Sequence, residues 1–211
     1  MSLQLGDTAP DFTLDSTAGT VRFHDYAGSH WVVFFSHPKD FTPVCTTELG
    51  AFASRKAEFD ARDTKLIGLS VDSVADHKGW AQDVADVGGT ALNYPLLADP
   101  ELEVAKLYGM FHPKADPKVT VRSVFVIDPQ KKVRLILTYP PSAGRNVDEV
   151  LRVLDSLQLT DGRKLTTPVD WQPGDDVIIA PSVSDEDARK LYPAGWKTLK
   201  PYLRLVPAPE A

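Results

Sequence analysis

Apolar residues along this chain follow two rhythms: short continuous runs, and stripes that repeat every three or four positions. The run Trp31 to Phe35 has no polar interruption, which predicts a central strand covered on both faces. Lys65 to Val71 reads as a second buried strand and Pro95 to Ala98 as a short third. Arg122 to Ile127 and Val133 to Leu137 predict a strand pair around the turn Asp128-Pro129-Gln130-Lys131. The stripes fall between the runs. Leu49, Phe52, Ala53, Lys56 and Phe59 share one helical face, with the Lys56 stem covering its edge. Ser73 with Asp76 three residues on starts a helix whose inner face is Val74, His77, Trp80, Ala81 and Val84, and Gly88-Gly89 ends it. Glu101 to Tyr108 is a short helix closed by Gly109, and His112 to Lys118 is a loop. Asn146 and Glu149 cap a further helix with Val147, Val150, Leu151 and Leu154 inside.

Ahead of these lies an extended arm over residues 1–12, where Pro10 blocks a helix. Phe12 to Leu14 and Thr20 to Phe23 form a small hairpin about the turn at Ser16 to Gly19. The order is hairpin, βαβα, a further β and short α, ββ, then α: an α/β fold with a mixed central sheet sandwiched by helices. From about Thr160 the pattern changes. Pro168, Pro173, Pro181, Pro193, Pro201, Pro207 and Pro209 punctuate it, leaving a strand at Val177 to Ile179, a helix at Ser184 to Leu191 and a strand at Tyr202 to Leu205. The expected division is therefore a main domain over 1–160 and a small C-terminal domain or arm over 161–211, packed on the main body or on a second subunit.

Composition narrows the function. A net charge of −6 disfavours broad binding to nucleic acid or an anionic membrane, and no apolar run approaches a membrane span. The N-terminus lacks the basic start and apolar core of a secretory signal, so a cytoplasmic protein is expected. The 211 residues hold one cysteine, Cys45, which excludes an internal disulfide, a C-x-x-C redox pair and a structural zinc. His24, His30, His37, His77 and His112 show no ligand spacing, so neither a metal nor any other cofactor is expected.

The chemistry gathers in S-H-P-K-D-F-T-P-V-C-T-T-E-L, Ser36 to Leu49, between the buried strand and the helix it feeds. A lone cysteine is more often a small buried apolar residue than a nucleophile. Here it sits in a polar, proline-punctuated loop-to-helix junction, where first-turn N–H groups favour a negative sulfur. Thr42, three residues earlier, lies one helical turn from it, and Pro38 and Pro43 restrict the loop. Arg122 opens an apolar strand. It reads either as a solvated strand end or as a guanidinium aimed at the sulfur, favouring the thiolate and binding a substrate oxygen. Glu48 lies one turn after Cys45 and complements the helix dipole.

P-K-D-F-T-P-V-C-T-T-E-L carries the P-x-x-x-T-x-x-C signature and resembles the peroxiredoxins of the AhpC/TSA family, thiol-dependent peroxidases with a thioredoxin-like fold. F-H-D-Y-A-G at 23–28, S-V-D-S-V-A-D-H at 70–77, R-S-V-F-V-I-D at 122–128, Y-P-P-S-A-G-R-N-V-D-E at 139–149 and T-P-V-D-W at 167–171 are similar to the one-cysteine, peroxiredoxin-6-like branch. The resemblance implies that Cys45 is the peroxidatic cysteine, oxidised to a sulfenic acid by hydrogen peroxide or organic hydroperoxides. It implies that Thr42 positions the peroxide, that Pro38 shields the sulfenic acid, and that Arg122 stabilises the thiolate and the leaving oxygen. The N–H groups of Val44 and Cys45 would bind the peroxide oxygens. Glu48 would orient Arg122, with Arg145 completing that network. His37 reads as a packing or hydrogen-bonding residue rather than a base.

With no second cysteine, the resolving thiol has to come from outside, from a small thiol or a thioredoxin- or glutaredoxin-type protein. The family resemblance also implies a homodimer, or a ring built from dimers. A redox-sensing or holdase protein on the same scaffold is the alternative. Lipase activity, which some one-cysteine relatives carry on a G-x-S-x-G-like site, is disfavoured because the corresponding stretch is G-S-H-W-V at 28–32.

Overall fold

The computed structural model describes residues 3–209. They fall into two compact units, Met1–Val147 and Asp148–Ala211. The first carries β1 (Thr13–Ser16), β2 (Gly19–Arg22), α1 (Phe23–Ala27), β3 (Trp31–Ser36), α2 (Pro43–Ser54), α3 (Lys56–Asp60), β4 (Thr64–Ser70), α4 (Val74–Gly88), β5 (Leu96–Ala98), α5 (Glu103–Leu107), β6 (Arg122–Ile127) and β7 (Val133–Tyr139). The sheet order is β2-β1-β5-β4-β3-β6-β7. Strand β3 runs parallel to β4 and antiparallel to β6, which makes the sheet mixed as the element order predicts.

The uninterrupted apolar runs become the central strands because both faces of the sheet are covered. Every residue of β3 and of β6 is buried. On one face Tyr108 meets Phe34 and Phe125 edge to face, and Phe23 packs at a tilt against Phe34. On the other, Phe35 stacks on Phe52 of α2 with ring centroids 4.4 Å apart. This second face holds the chemistry, because the chain leaves β3 at Ser36 and enters α2 at Pro43.

The expected helix from Cys45 to Phe59 is two helices, broken at Arg55, whose φ of −103° and ψ of 9° leave the helical range. The sequence pattern also extends the hairpin through Phe23 and misses α1, which starts there. The capping box at Ser73 and Asp76 forms in full, and Gly89 closes α4 in the left-handed conformation. Helices α2 and α4 meet at two glycines. A Cβ built on Gly88 would lie 2.5 Å from the Gly50 Cα, so neither position has room for a methyl group. Gly88→Ala is expected to destabilise the protein by roughly 1–3 kcal/mol, read as a lower midpoint in chemical denaturation.

The second unit contains the body of α6 (Val147–Thr160), then β8 (Leu165–Thr166), β9 (Val177–Ile179), α7 (Asp185–Leu191), β10 (Lys197–Lys200) and β11 (Leu203–Val206). The expected boundary at 160 placed α6 with the main domain; contacts group it with the C-terminal residues. The strands form a small sheet in the order β10-β11-β9-β8. It has an apolar cluster of its own, including Trp171, Val177, Ile179 and Val206. No helix of the described residues is long and apolar enough to cross a membrane.

Candidate active site

Cys45 is the third residue of α2, with Pro43 first and Thr42 as the N-cap. Proline fits the first helical position because its missing N–H has no helical partner there. The first backbone bond of this helix runs from Thr46 N–H to the Thr42 carbonyl. The N–H groups of Val44 and Cys45 therefore have no acceptor within the helix, which leaves two amides and the positive end of the dipole beside the sulfur. Cys45 itself is fully buried.

The antiparallel register of β6 against β3 brings Arg122 to the same end of the sheet. Phe35 pairs with Val124, so Arg122 falls level with the loop that follows β3. Of the two readings of Arg122, the solvated strand end is excluded: the residue is only 3% exposed. Its Nη1 lies 3.3 Å from Cys45 Sγ and donates to Glu48 Oε2 at 2.6 Å. Nε and Nη2 both donate to the Pro141 carbonyl, at 3.1 and 2.8 Å. The guanidinium is thus held by two partners, Glu48 and the Pro141 carbonyl, and Nη1 also meets the sulfur.

Behind it stands Arg145. Its backbone N–H and Nε donate to Glu48 Oε1 at 2.7 and 2.9 Å, and Nη2 to Oε2 at 2.8 Å. Nη1 donates to the carbonyls of Ser36 and Ser123, and the guanidinium lies over Phe35 and Phe52. Burial works against the Glu48 charge, but the two arginines, Arg145 above all, outweigh it and hold the carboxyl below its ordinary range. Two cations and one carboxylate leave one net positive charge beside the sulfur.

Thr42 and Val44 are half-buried and Pro38 is buried. The Thr42 hydroxyl donates to the Lys39 carbonyl at 2.8 Å, leaving its oxygen lone pairs as acceptors. Phe41, just before it, has φ of +55°, a left-handed conformation that costs an aromatic residue about 1–3 kcal/mol unless its surroundings enforce it. His37 is fully buried and donates or accepts at Nε2 with Asp40 Oδ1, 2.7 Å away. His77 of α4 meets the other carboxylate oxygen at 2.6 Å.

Histidine spacing gave no sign of this grouping, although a histidine on the inner face of α4 needs a buried partner. His37, Asp40 and His77 present potential metal-ligating atoms within 4.8 Å of one another. Their direct contacts of 2.6 and 2.7 Å are hydrogen bonds, closer than the roughly 3.3 Å between ligands about a tetrahedral metal with bonds near 2.05 Å.

A buried cysteine at a helix N-terminus, faced by a fixed guanidinium, defines a thiol-based redox site on a thioredoxin-like sheet. Residues 5–136 match the AhpC/TSA family, and residues 156–195 match the C-terminal domain of 1-Cys peroxiredoxin. A 1-Cys peroxiredoxin of Dictyostelium discoideum is 52% identical over 98% of this chain and 86% of that protein. The crystal structure of a cysteine-to-serine variant of the peroxiredoxin 6 of Arenicola marina superposes with a TM-score of 0.93 at 45% identity, covering both chains completely. The yeast mitochondrial 1-Cys peroxiredoxin, whose structure is described as the basis of thiol resolving through glutathione and thioredoxin systems, gives 0.91 at 50% identity, covering 97% of this chain and 99% of that one. The chain belongs to the AhpC/TSA family of peroxiredoxins, and it is a thiol-dependent peroxidase of the one-cysteine kind. The sensor or holdase alternative is not favoured.

Proposed function

We propose that Cys45 is the peroxidatic cysteine and that a thiol from outside the chain completes its cycle. The observation that carries this reading is the 3.3 Å approach of Arg122 Nη1 to Sγ, from a guanidinium already held by Glu48 and Pro141. The ionised sulfur attacks one peroxide oxygen. An S–O bond forms as the O–O bond breaks, and the leaving oxygen takes up a proton equivalent to the one the Cys45 thiol lost on ionising, departing as water or an alcohol. Arg122 balances the charge on the sulfur and then on the leaving oxygen, with no reorganisation at the moment of reaction. The amides of Val44 and Cys45 hold the peroxide oxygens, and Thr42 accepts the peroxide O–H. Pro38 shields the sulfenic acid. Glu48 orients Arg122, Arg145 fixes Glu48, and His37 packs the loop without acting as a base.

One thiol then condenses with the sulfenic acid, releasing water and leaving a mixed disulfide; a second frees Cys45 and carries the disulfide away. The glutathione and thioredoxin systems of the yeast relative support thiols of these two kinds as reductants. A cytoplasmic setting, rich in reduced thiol, suits the cycle. Steady-state peroxide consumption with glutathione, thioredoxin, glutaredoxin, ascorbate and dithiothreitol in turn tests this. Sustained turnover is expected only with a thiol, and equal turnover without one would reject the reading.

The assembly we favour is a homodimer built on β7. This strand ends the sheet, and Leu135, Ile136 and Leu137 within it are only half-buried. A seven-residue edge strand with the apolar run Leu135 to Leu137 is a ready template for a second strand, and two copies pairing antiparallel make a self-complementary contact that closes. Leu137→Glu is expected to convert dimers to monomers in sedimentation velocity. An unchanged dimer would move the interface elsewhere.

A further inference from the structure

We propose that Asp40 and His77 are positioning residues for the peroxide reaction: their buried ion pair ties the Cys45 loop to α4 and lets go when His77 loses its proton. The inference rests on Cys45 being the peroxidatic residue.

The hydrogen-bond roles follow from the acceptors. His77 Nε2 faces the Leu97 carbonyl at 3.2 Å, and a carbonyl only accepts, so Nε2 carries a proton. Nδ1 faces Asp40 Oδ2 at 2.6 Å, and an ionised carboxylate also only accepts, so Nδ1 carries one too. His77 is therefore the imidazolium, and both side chains are fully buried. Asp40 Oδ1 takes a second hydrogen bond, from His37 Nε2, which leaves His37 neutral with an unpartnered lone pair on Nδ1.

The charged groups facing the pair come from several elements. Asp72, in the turn after β4, accepts from the Asp40 backbone N–H at 2.9 Å and from Ser70. Asp76 acts from α4 itself, and Arg145 acts on His37. Burial opposes the charge on His77, but Asp40, the Leu97 carbonyl and Asp72 outweigh it, so its pKa is raised. Burial opposes the Asp40 charge too, and His37 and His77 outweigh it, so its pKa is lowered. The signs define a window. The Asp40 contribution is present above the ordinary aspartate range and lost in acid. The His77 contribution is present below the ordinary histidine value and lost as pH rises through the higher folded value.

What the pair holds is the segment between β3 and α2. The His37 N–H donates to the Leu69 carbonyl, and Thr120 donates to the His37 carbonyl, which fixes the start of the loop. Asp40 fixes its middle through both backbone and side chain. The strained Phe41 and then Thr42 follow directly. Without the Asp40 anchor the left-handed turn at Phe41 keeps only the Thr42–Lys39 hydrogen bond and the Trp80 ring among its described contacts, and Pro38 and Thr42 lose their fixed places relative to Cys45.

The test is the second-order rate of Cys45 oxidation by hydrogen peroxide, followed by stopped flow across pH, for wild type, Asp40→Asn and His77→Gln, with folding checked by circular dichroism. Each variant is expected to lose about tenfold to a hundredfold near neutrality, since small misplacements of reacting groups have effects of this size. Wild type should show a fall in rate on the alkaline side that His77→Gln lacks. A folded variant with the wild-type rate and the wild-type alkaline limb overturns the proposal. Imidazole NMR of the wild-type protein decides independently of any variant: both His77 nitrogens protonated at neutral pH, losing one proton in step with the alkaline fall, supports it. A neutral His77 there, or a rate with no alkaline limb, overturns it. Failure of the Cys45 reading looks different, because then wild type itself leaves Cys45 unoxidised.

Discussion

Cys45→Ser abolishes peroxide reduction while the protein stays folded. The chain has no other thiol to form a sulfenic acid. A serine hydroxyl is not ionised near neutrality and is a poor nucleophile without an adjacent base. Among the described contacts, the hydrogen-bond partner of Cys45 Sγ is Arg122, which cannot serve as that base. Arg122 is a permanent cation, and Glu48 is committed to two arginines. The fold tolerates the change because serine is close in size and its hydroxyl lies within reach of Arg122 Nη1. Peroxide consumption measured with dithiothreitol as reductant checks this; residual turnover at the wild-type rate would place the chemistry elsewhere.

Arg122→Ala is expected to slow Cys45 oxidation by about 10²–10³-fold, the usual cost of removing one preorganised charge donor. The sulfur would lose its only close cation among the described contacts. The remaining network survives, because Arg145 keeps three hydrogen bonds to Glu48. The loss should therefore appear in the rate constant for peroxide rather than as unfolding. Arg122→Lys should recover little. A point charge on a flexible stem cannot meet Sγ, Glu48 and the Pro141 carbonyl together as the planar fork does. Stopped-flow oxidation near the wild-type rate in Arg122→Ala would remove the residue from the reaction.

The two charged groups of residues in this unit were legible to different degrees. Trp31 to Phe35 and Arg122 to Ile127 read directly as buried strands, because covering both faces of a sheet leaves no polar alternation. Cys45, Thr42 and Pro38 were visible in one loop, and Glu48 one helical turn on. The depth of Arg122 and Arg145 was not visible, because it depends on strand register and on a loop that returns 97 residues after Glu48. The Asp40–His77 pair joins residues 37 apart on different elements and leaves no spacing pattern. Strand β8 has two residues and β10 is exposed throughout, so pairing with neighbours, not local preference, makes them strands.

The most direct measurement treats the fully reduced protein with hydrogen peroxide in the absence of any thiol, and follows both peroxide consumed and the mass of the peptide containing Cys45. One equivalent consumed per chain, with one added oxygen on Cys45 that a thiol then removes, is the predicted result. A stable disulfide between two copies of Cys45, or peroxide consumption that continues without thiol, would contradict it.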